Sequence, residues 1–242
     1  MEFPKQKWMS WSVFKKKFPK IKKLSYGYFG DTYRYDNIVF KVIYNCKSSR
    51  EEIEILQTVS KSKSPFLSKL RAHYYCKNAM FSGHRNQGVF KCWNKWIKVK
   101  TGNGIILAMD YSGKPLSDHL DEHPLSKKML FMLLYALYKF SGITRMHHND
   151  PYITNYTIKK ISKQDITLTV SNKTYVLKNI EYIPVLLDYG KSRVTKIDDR
   201  ETDISILMDS FELYTELNWL ANMDRYETAS KMIAHHFSDY QR

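Results

Sequence analysis

The first half of the chain alternates apolar and polar residues in the manner of strands. Tyr33-Arg34-Tyr35 and Ile38-Val39-Phe40-Lys41-Val42-Ile43 are β-rich runs separated by Asp36-Asn37. They predict a hairpin, although the usual glycine after Asp or Asn is missing. Over Arg50 to Lys61 the period changes. Ile53, Leu56 and Val59 recur at helical spacing, and Glu51, Glu52 and Glu54 occupy the first turns, where carboxylates suit the helix dipole. Phe66 to Cys76 and Gly104 to Tyr111 return to a strand pattern, with a basic, aromatic segment of undecided structure between them.

The second half reads differently. Ser112-Gly113-Lys114-Pro115 is loop punctuation and marks a boundary. Leu125 to Met146 is apolar on most sides, which predicts a long helix at the centre of a helical lobe. Ile166 to Val170 and Thr174 to Leu177, around Ser171-Asn172-Lys173, predict another hairpin. Ile183 to Leu187 predicts a short buried strand that ends at Asp188-Tyr189-Gly190, and Thr202 to Leu217 and Asn218 to His236 read as helices. Strands with one helix come first and helices with short strands follow. That order predicts an α+β protein of two lobes, a β-rich N-lobe over 1–111 and a helical C-lobe over 112–242, in one domain spanning 1–242.

Composition narrows the partners. No stretch reaches the roughly 18 uninterrupted apolar residues of a membrane span, so no membrane association is expected. The N-terminus shows Glu2, Pro4, Lys5 and Lys7 with no apolar run behind them, and a cleaved secretory signal is not expected. Cys46, Cys76 and Cys92 have neither metal-ligand spacing nor an even count, which argues against a disulfide framework and for a reducing compartment, cytoplasmic or nuclear. The net charge of +15 favours an acidic partner such as nucleic acid. Lysines concentrate at Lys15-Lys16-Lys17 with Lys20, Lys22 and Lys23, and again over Lys91 to Lys100, where Trp93 and Trp96 interleave with them. Such a segment can track a nucleic-acid backbone, or form a strand with indoles inward and lysines outward.

Four positions carry the chemistry. Lys41 lies on an early strand, Asp150 is followed five residues later by Asn155 in a turn-like stretch, and Asp188 closes an apolar strand. Oxygen ligands suit Mg²⁺ and a lysine suits phosphates, so together these residues could handle a nucleotide. Phosphoryl transfer needs chiefly positioning and charge neutralisation.

In order and content these segments resemble the protein-kinase superfamily, from about Leu24 to Leu217. Ser25-Tyr26-Gly27-Tyr28-Phe29-Gly30 resembles the glycine-rich loop, with Ser25 at the first glycine, and the resemblance implies that Gly27 and Gly30 let the backbone approach phosphates. Ile38-Val39-Phe40-Lys41 resembles the strand whose lysine contacts the α- and β-phosphates. Glu52 is similar to the helix glutamate that pairs with it, with Glu51 and Glu54 as fallbacks. Leu107-Ala108-Met109-Asp110-Tyr111 resembles the hinge, which implies Met109 and Tyr111 at the adenine. His148-Asn149-Asp150-Pro151-Tyr152-Ile153-Thr154-Asn155 resembles the catalytic loop at the right spacing, and Asp188-Tyr189-Gly190 resembles Asp-Phe-Gly. The resemblance implies a two-lobed kinase-like fold, ATP and Mg²⁺ as cofactors, Asp150 orienting the acceptor hydroxyl, and Asn155 and Asp188 as metal ligands. Asp203 resembles the aspartate that braces the catalytic loop.

The departures are specific. Tyr152 stands where serine/threonine kinases carry a lysine, and Asn149 stands where the family has arginine. Only Lys191 to Arg200 precedes the next helix, no Ala-Pro-Glu follows, and the C-lobe is shortened. In these respects the chain is similar to the small divergent kinases of large DNA viruses, which would place it in a host cell or virion. Lys191 and Arg193 could supply the missing positive charge, or be solvated loop residues. The expected function is a serine/threonine protein kinase with a protein substrate. The alternatives are a pseudokinase or nucleic-acid-binding module that keeps the fold, and a kinase of small molecules.

Overall fold

The computed structural model describes residues 8–27, 30–81, 89–92, 95–194, 203–211 and 228–242. They fall into two units, one of Met1–Ser60 with Lys69–Tyr111 and one of Lys61–Ser68 with Ser112–Arg242. Among the described residues the first is β-rich and most of the helix is in the second, an α+β composition.

In the first unit Trp8–Ser10 (β1) leads into Trp11–Lys17 (α1). Then come Lys22–Gly27 (β2), Gly30–Tyr35 (β3), Ile38–Tyr44 (β4), Lys47–Ser60 (α2), Leu70–Met80 (β5), Val89–Cys92 (β6), Lys95–Lys98 (β7) and Thr101–Asp110 (β8). Six of the strands form a sheet in the order β1-β5-β8-β4-β3-β2, antiparallel except for β1 on β5, while β6 and β7 pair with each other. The β3–β4 hairpin turns at Asp36-Asn37, with Tyr35 opposite Ile38. Asp36 takes a φ of 49° and so does the work of the absent glycine.

Neither β1 nor α1 is evident in the strand-and-helix reading of the sequence. Ser10 caps α1 by accepting from the Val13 amide. Phe14 and Phe18, one turn apart, bury against Phe40 with ring centroids 5.1 and 4.6 Å away. Alternation along β4 therefore sends Phe40 and Val42 to the α1 face and Lys41 to the opposite face. The strand expected over Phe66 to Cys76 begins later, at Leu70. Phe66 and Ser68 instead bond the backbone of Leu186 in the second unit, at 2.9 and 3.0 Å. Cys46 is disulfide-bonded, contrary to the expectation from cysteine spacing, and Cys76 is a free thiol that burial raises to about 11.

The second unit contains Lys114–Pro115 (β9), Leu116–Leu120 (α3), Lys127–Thr144 (α4), Tyr156–Val170 (β10), Lys173–Leu186 (β11), Asp203–Asp209 (α5) and Ala229–His236 (α6). Ser126 caps α4, and Arg145 ends it in the left-handed region at φ 57°. From Met129 to Leu137 every α4 residue is buried, and Phe131 packs on Tyr175 of β11 and on Phe237. The expected short hairpin and the separate strand after it are one long hairpin, β10 with β11, whose register shifts near Gln164. The stretch Lys159 to Asp165 is polar and mostly exposed, so it carries no buried face for periodicity to detect. Gly113, at φ 106°, has to be glycine because a Cβ there would collide with the Ile158 carbonyl. Parts of the two C-terminal helices expected over Thr202 to Leu217 and Asn218 to His236 lie outside the described residues, as does Trp93. No described helix is long and apolar enough to cross a membrane.

Candidate active site

In the first unit β4 lies between β3 and β8, with Lys41 opposite Thr32 on one side and Leu107 on the other. Its ammonium donates to Glu52 Oε1 at 2.7 Å, and both side chains are buried. Helical spacing on α2 selects this glutamate. Glu52 shares the buried face with Ile53, Ile55, Leu56 and Val59, whereas Glu51 pairs with Lys47 one turn away and Glu54 is exposed. A buried pair of this kind fixes two charges firmly, but gains little over an apolar pair because both had to leave water.

At the end of the β2–β3 hairpin Gly27 is opposite Gly30, while Tyr28 and Phe29 lie outside the described residues. Gly30 has its own packing reason. At φ 152° a Cβ would sit 2.5 Å from the Val42 carbonyl oxygen and 2.7 Å from Ile43 Cγ2. Met109, on β8, pairs with Val39 and Leu70. The amide of Tyr111 donates to the Asn37 carbonyl at 2.9 Å, and the Arg34 guanidinium lies 3.7 Å over the Tyr111 ring. Asp110 pairs with Arg71.

In the second unit the segment from His147 to Asn155 has no regular structure until the short 3-10 turn Ile153–Asn155, so its shape depends on polar bonds. Asp203, at the start of α5, supplies two of them. Its carboxylate accepts from the amides of His148 and Asn149, each at 2.7 Å. Asn149 is left-handed at φ 60°, which asparagine tolerates better than arginine. Its side-chain amide donates to the carbonyls of His147 and Lys191. His148 is fully buried, and its Nε2 meets the Leu187 carbonyl at 2.8 Å. Burial holds its pKa below the ordinary histidine value, against the opposing pull of Asp203.

Asp150 is gripped at both carboxylate oxygens. Asn155 Nδ2 donates to Oδ2 at 3.0 Å and to the Asp150 carbonyl at 2.8 Å, and Lys191 Nζ donates to Oδ1 at 2.6 Å. With its amide nitrogen committed to Asp150, Asn155 has its Oδ1 as the remaining side-chain ligand atom. The Asn155 carbonyl accepts from Leu187, which sets Asn155 beside the strand end that carries Asp188. Asp188 is left-handed at φ 55° and caps the 3-10 turn Tyr189–Lys191. Tyr189 anchors that turn. It is fully buried and stacks on Phe140 at 5.0 Å, and its hydroxyl donates to Leu186 and accepts from the Ser68 amide. Burial pushes its hydroxyl far above the usual tyrosine range.

The second unit thus brings Asp150, Asn155 and Asp188 onto neighbouring backbone, and the first brings Lys41 to Glu52. The donor set fits Mg²⁺: an amide oxygen and a carboxylate are hard ligands, and Mg²⁺ fills the rest of its shell with water and phosphate oxygens. Sequence reading names Lys191 as a candidate cation but not its contact with Asp150, and it misses the anchoring of Tyr189 by Ser68. The second spans 121 positions and leaves no local signal.

No family model matches the chain, and no curated protein matches it. Among solved structures, the kinase domain of the Plasmodium protein PF14_0431 is similar at 15% identity and a TM-score of 0.44, over 74% of this chain and 51% of that one. The chain therefore spans about half of that chain's length. At that TM-score the likeness adds nothing to what the residues themselves supply.

Proposed function

We propose that this chain is an ATP- and Mg²⁺-dependent phosphotransferase that acts on a hydroxyl acceptor, with a serine or threonine of a protein as the leading acceptor. The observation that carries the reading is the grip on Asp150, whose two oxygens are aligned by Asn155 and Lys191 on a loop braced by Asp203. A carboxylate so aligned can orient an acceptor hydroxyl and take its proton as the oxygen attacks the γ-phosphorus and the bond to ADP breaks. Lys41, held by Glu52, is the cation for the α- and β-phosphates. Asn155 Oδ1 and the Asp188 carboxylate are the ligands for Mg²⁺. When bound, Mg²⁺ neutralises the charge that develops on the phosphates.

A non-protein acceptor is the second reading. The short connection from Gly190 to Asp203 favours it, because Asp203 already braces the catalytic loop and little chain lies between for a peptide platform. Exposed Lys15, Lys16, Lys17, Lys20 and Lys22 favour an acidic partner under either reading. The test is transfer of labelled γ-phosphate to the chain itself, to acidic and basic proteins, and to sugars and other small polyols. Transfer that is lost in Asp150→Asn and Asp188→Asn is the expected result, and the labelled acceptor decides between the readings. A wild type that transfers to none of them and binds no nucleotide overturns both.

A further inference from the structure

We infer that Lys191 is the cation for the transferred phosphoryl group, delivered from the turn after Asp188 instead of from the catalytic loop. This rests on the phosphotransferase reading. The catalytic loop places Tyr152 two residues past Asp150, a residue that is 45% exposed and brings no charge. A lysine does reach Asp150, from forty-one residues later in the chain, at 2.6 Å.

The backbone of Lys191 is fixed against the loop it serves. Its carbonyl accepts from the Asn149 side chain at 3.3 Å, and Ser192 N donates to the Tyr189 carbonyl at 3.0 Å. Arg193 and His147 exchange both backbone bonds, at 3.1 and 3.2 Å, and Tyr189 is buried just before. A residue locked this closely is not a loop lysine that met a carboxylate in solvent.

Stability alone does not account for the pair. The Lys191 side chain is 41% exposed against 11% for Asp150, so water reaches the lysine end of the pair and weakens it relative to a fully buried one. The place of the charge has a chemical use. An ammonium has three N–H donors, so Lys191 can keep one on Asp150 and turn another to a phosphoryl oxygen, which ties the acceptor-orienting group to the group being transferred. Asn149 enters the same design, because its left-handed backbone and side-chain amide join the loop to the Lys191 carbonyl.

The experiment compares wild type, Lys191→Met, Lys191→Arg and the double variant Lys191→Met/Tyr152→Lys. Calorimetry measures affinity for ADP and for a non-hydrolysable ATP analogue, and labelled transfer gives kcat and KM. A donor to the transferred group predicts that Lys191→Met lowers kcat about 10²-fold or more. It also predicts weaker ATP-analogue binding with ADP binding unchanged, partial retention in Lys191→Arg, and recovery of kcat in the double variant. Equal losses for both nucleotides, wild-type kcat in Lys191→Met, or no recovery in the double variant would overturn the assignment. Should Lys191→Met not fold, Lys191→Gln gives the same comparison. A wild type that transfers nothing overturns the phosphotransferase reading, while the ratio of ATP-analogue to ADP affinity still tests Lys191 separately.

Discussion

The two units hold their buried charges in opposite ways. In the first, Lys41 and Glu52 meet because a strand and a helix, each regular in its own period, present them to each other. In the second, Asp150 and Asp188 sit on irregular backbone, with Asn149 and Asp188 left-handed and Asp203 binding two amides. Apolar packing positions the first pair, and hydrogen bonds position the second group. The first should therefore tolerate an apolar replacement that fills the same space, and the second should not.

The largest effect expected is on stability at the ion pair. Lys41→Met leaves the Glu52 carboxylate buried without its lysine, which should cost about 3–5 kcal/mol in urea unfolding. Lys41→Met/Glu52→Leu should regain most of that and still bind nucleotide more weakly than wild type. A double variant as unstable as the single one would break the contrast. Next comes Asp203→Ala, which removes the acceptor from two amides at about 1–3 kcal/mol for each one left buried and unsatisfied. Here Asp203→Asn should recover only part of the loss, since one of its terminal atoms donates instead of accepting. Full recovery by an apolar residue such as Leu would contradict the polar account.

The smallest effect is a pH slope from His148. Its pKa is lowered in the folded state, so the unfolded chain binds the proton more readily. The stability of neutral His148 is present above the unfolded value of about 6.5 and is lost as pH falls from there toward the folded pKa. Thermal unfolding between pH 8 and pH 5 should show this decline, and His148→Gln should flatten it. An unchanged slope in His148→Gln would place the effect elsewhere.

The same contrast explains what the sequence revealed. Regular elements were legible: alternation around Lys41 marks β4, and spacing on α2 buries Glu52 while leaving Glu54 outside. The loop was legible only through the likeness of His148 to Asn155 to a known motif, because no periodicity describes left-handed residues braced from Asp203. The contact between Lys191 and Asp150 could not be read, since it depends on how the turn after Asp188 closes. Helix α1 was within reach. Ser10 as a cap and the spacing of Trp11, Phe14 and Phe18 mark it, but the surrounding lysines dominate that stretch. The long β10–β11 hairpin was hidden by its polar, solvated middle.

The central claim of the proposal is that Asn155 and Asp188 hold Mg²⁺ for a nucleotide. Calorimetric titration of ATP into the full chain, with and without Mg²⁺, tests it most directly. The account predicts Mg²⁺-dependent binding that weakens in Lys41→Met/Glu52→Leu and loses its Mg²⁺ dependence in Asp188→Asn. Binding equally tight without Mg²⁺, or unchanged in both variants, would contradict it.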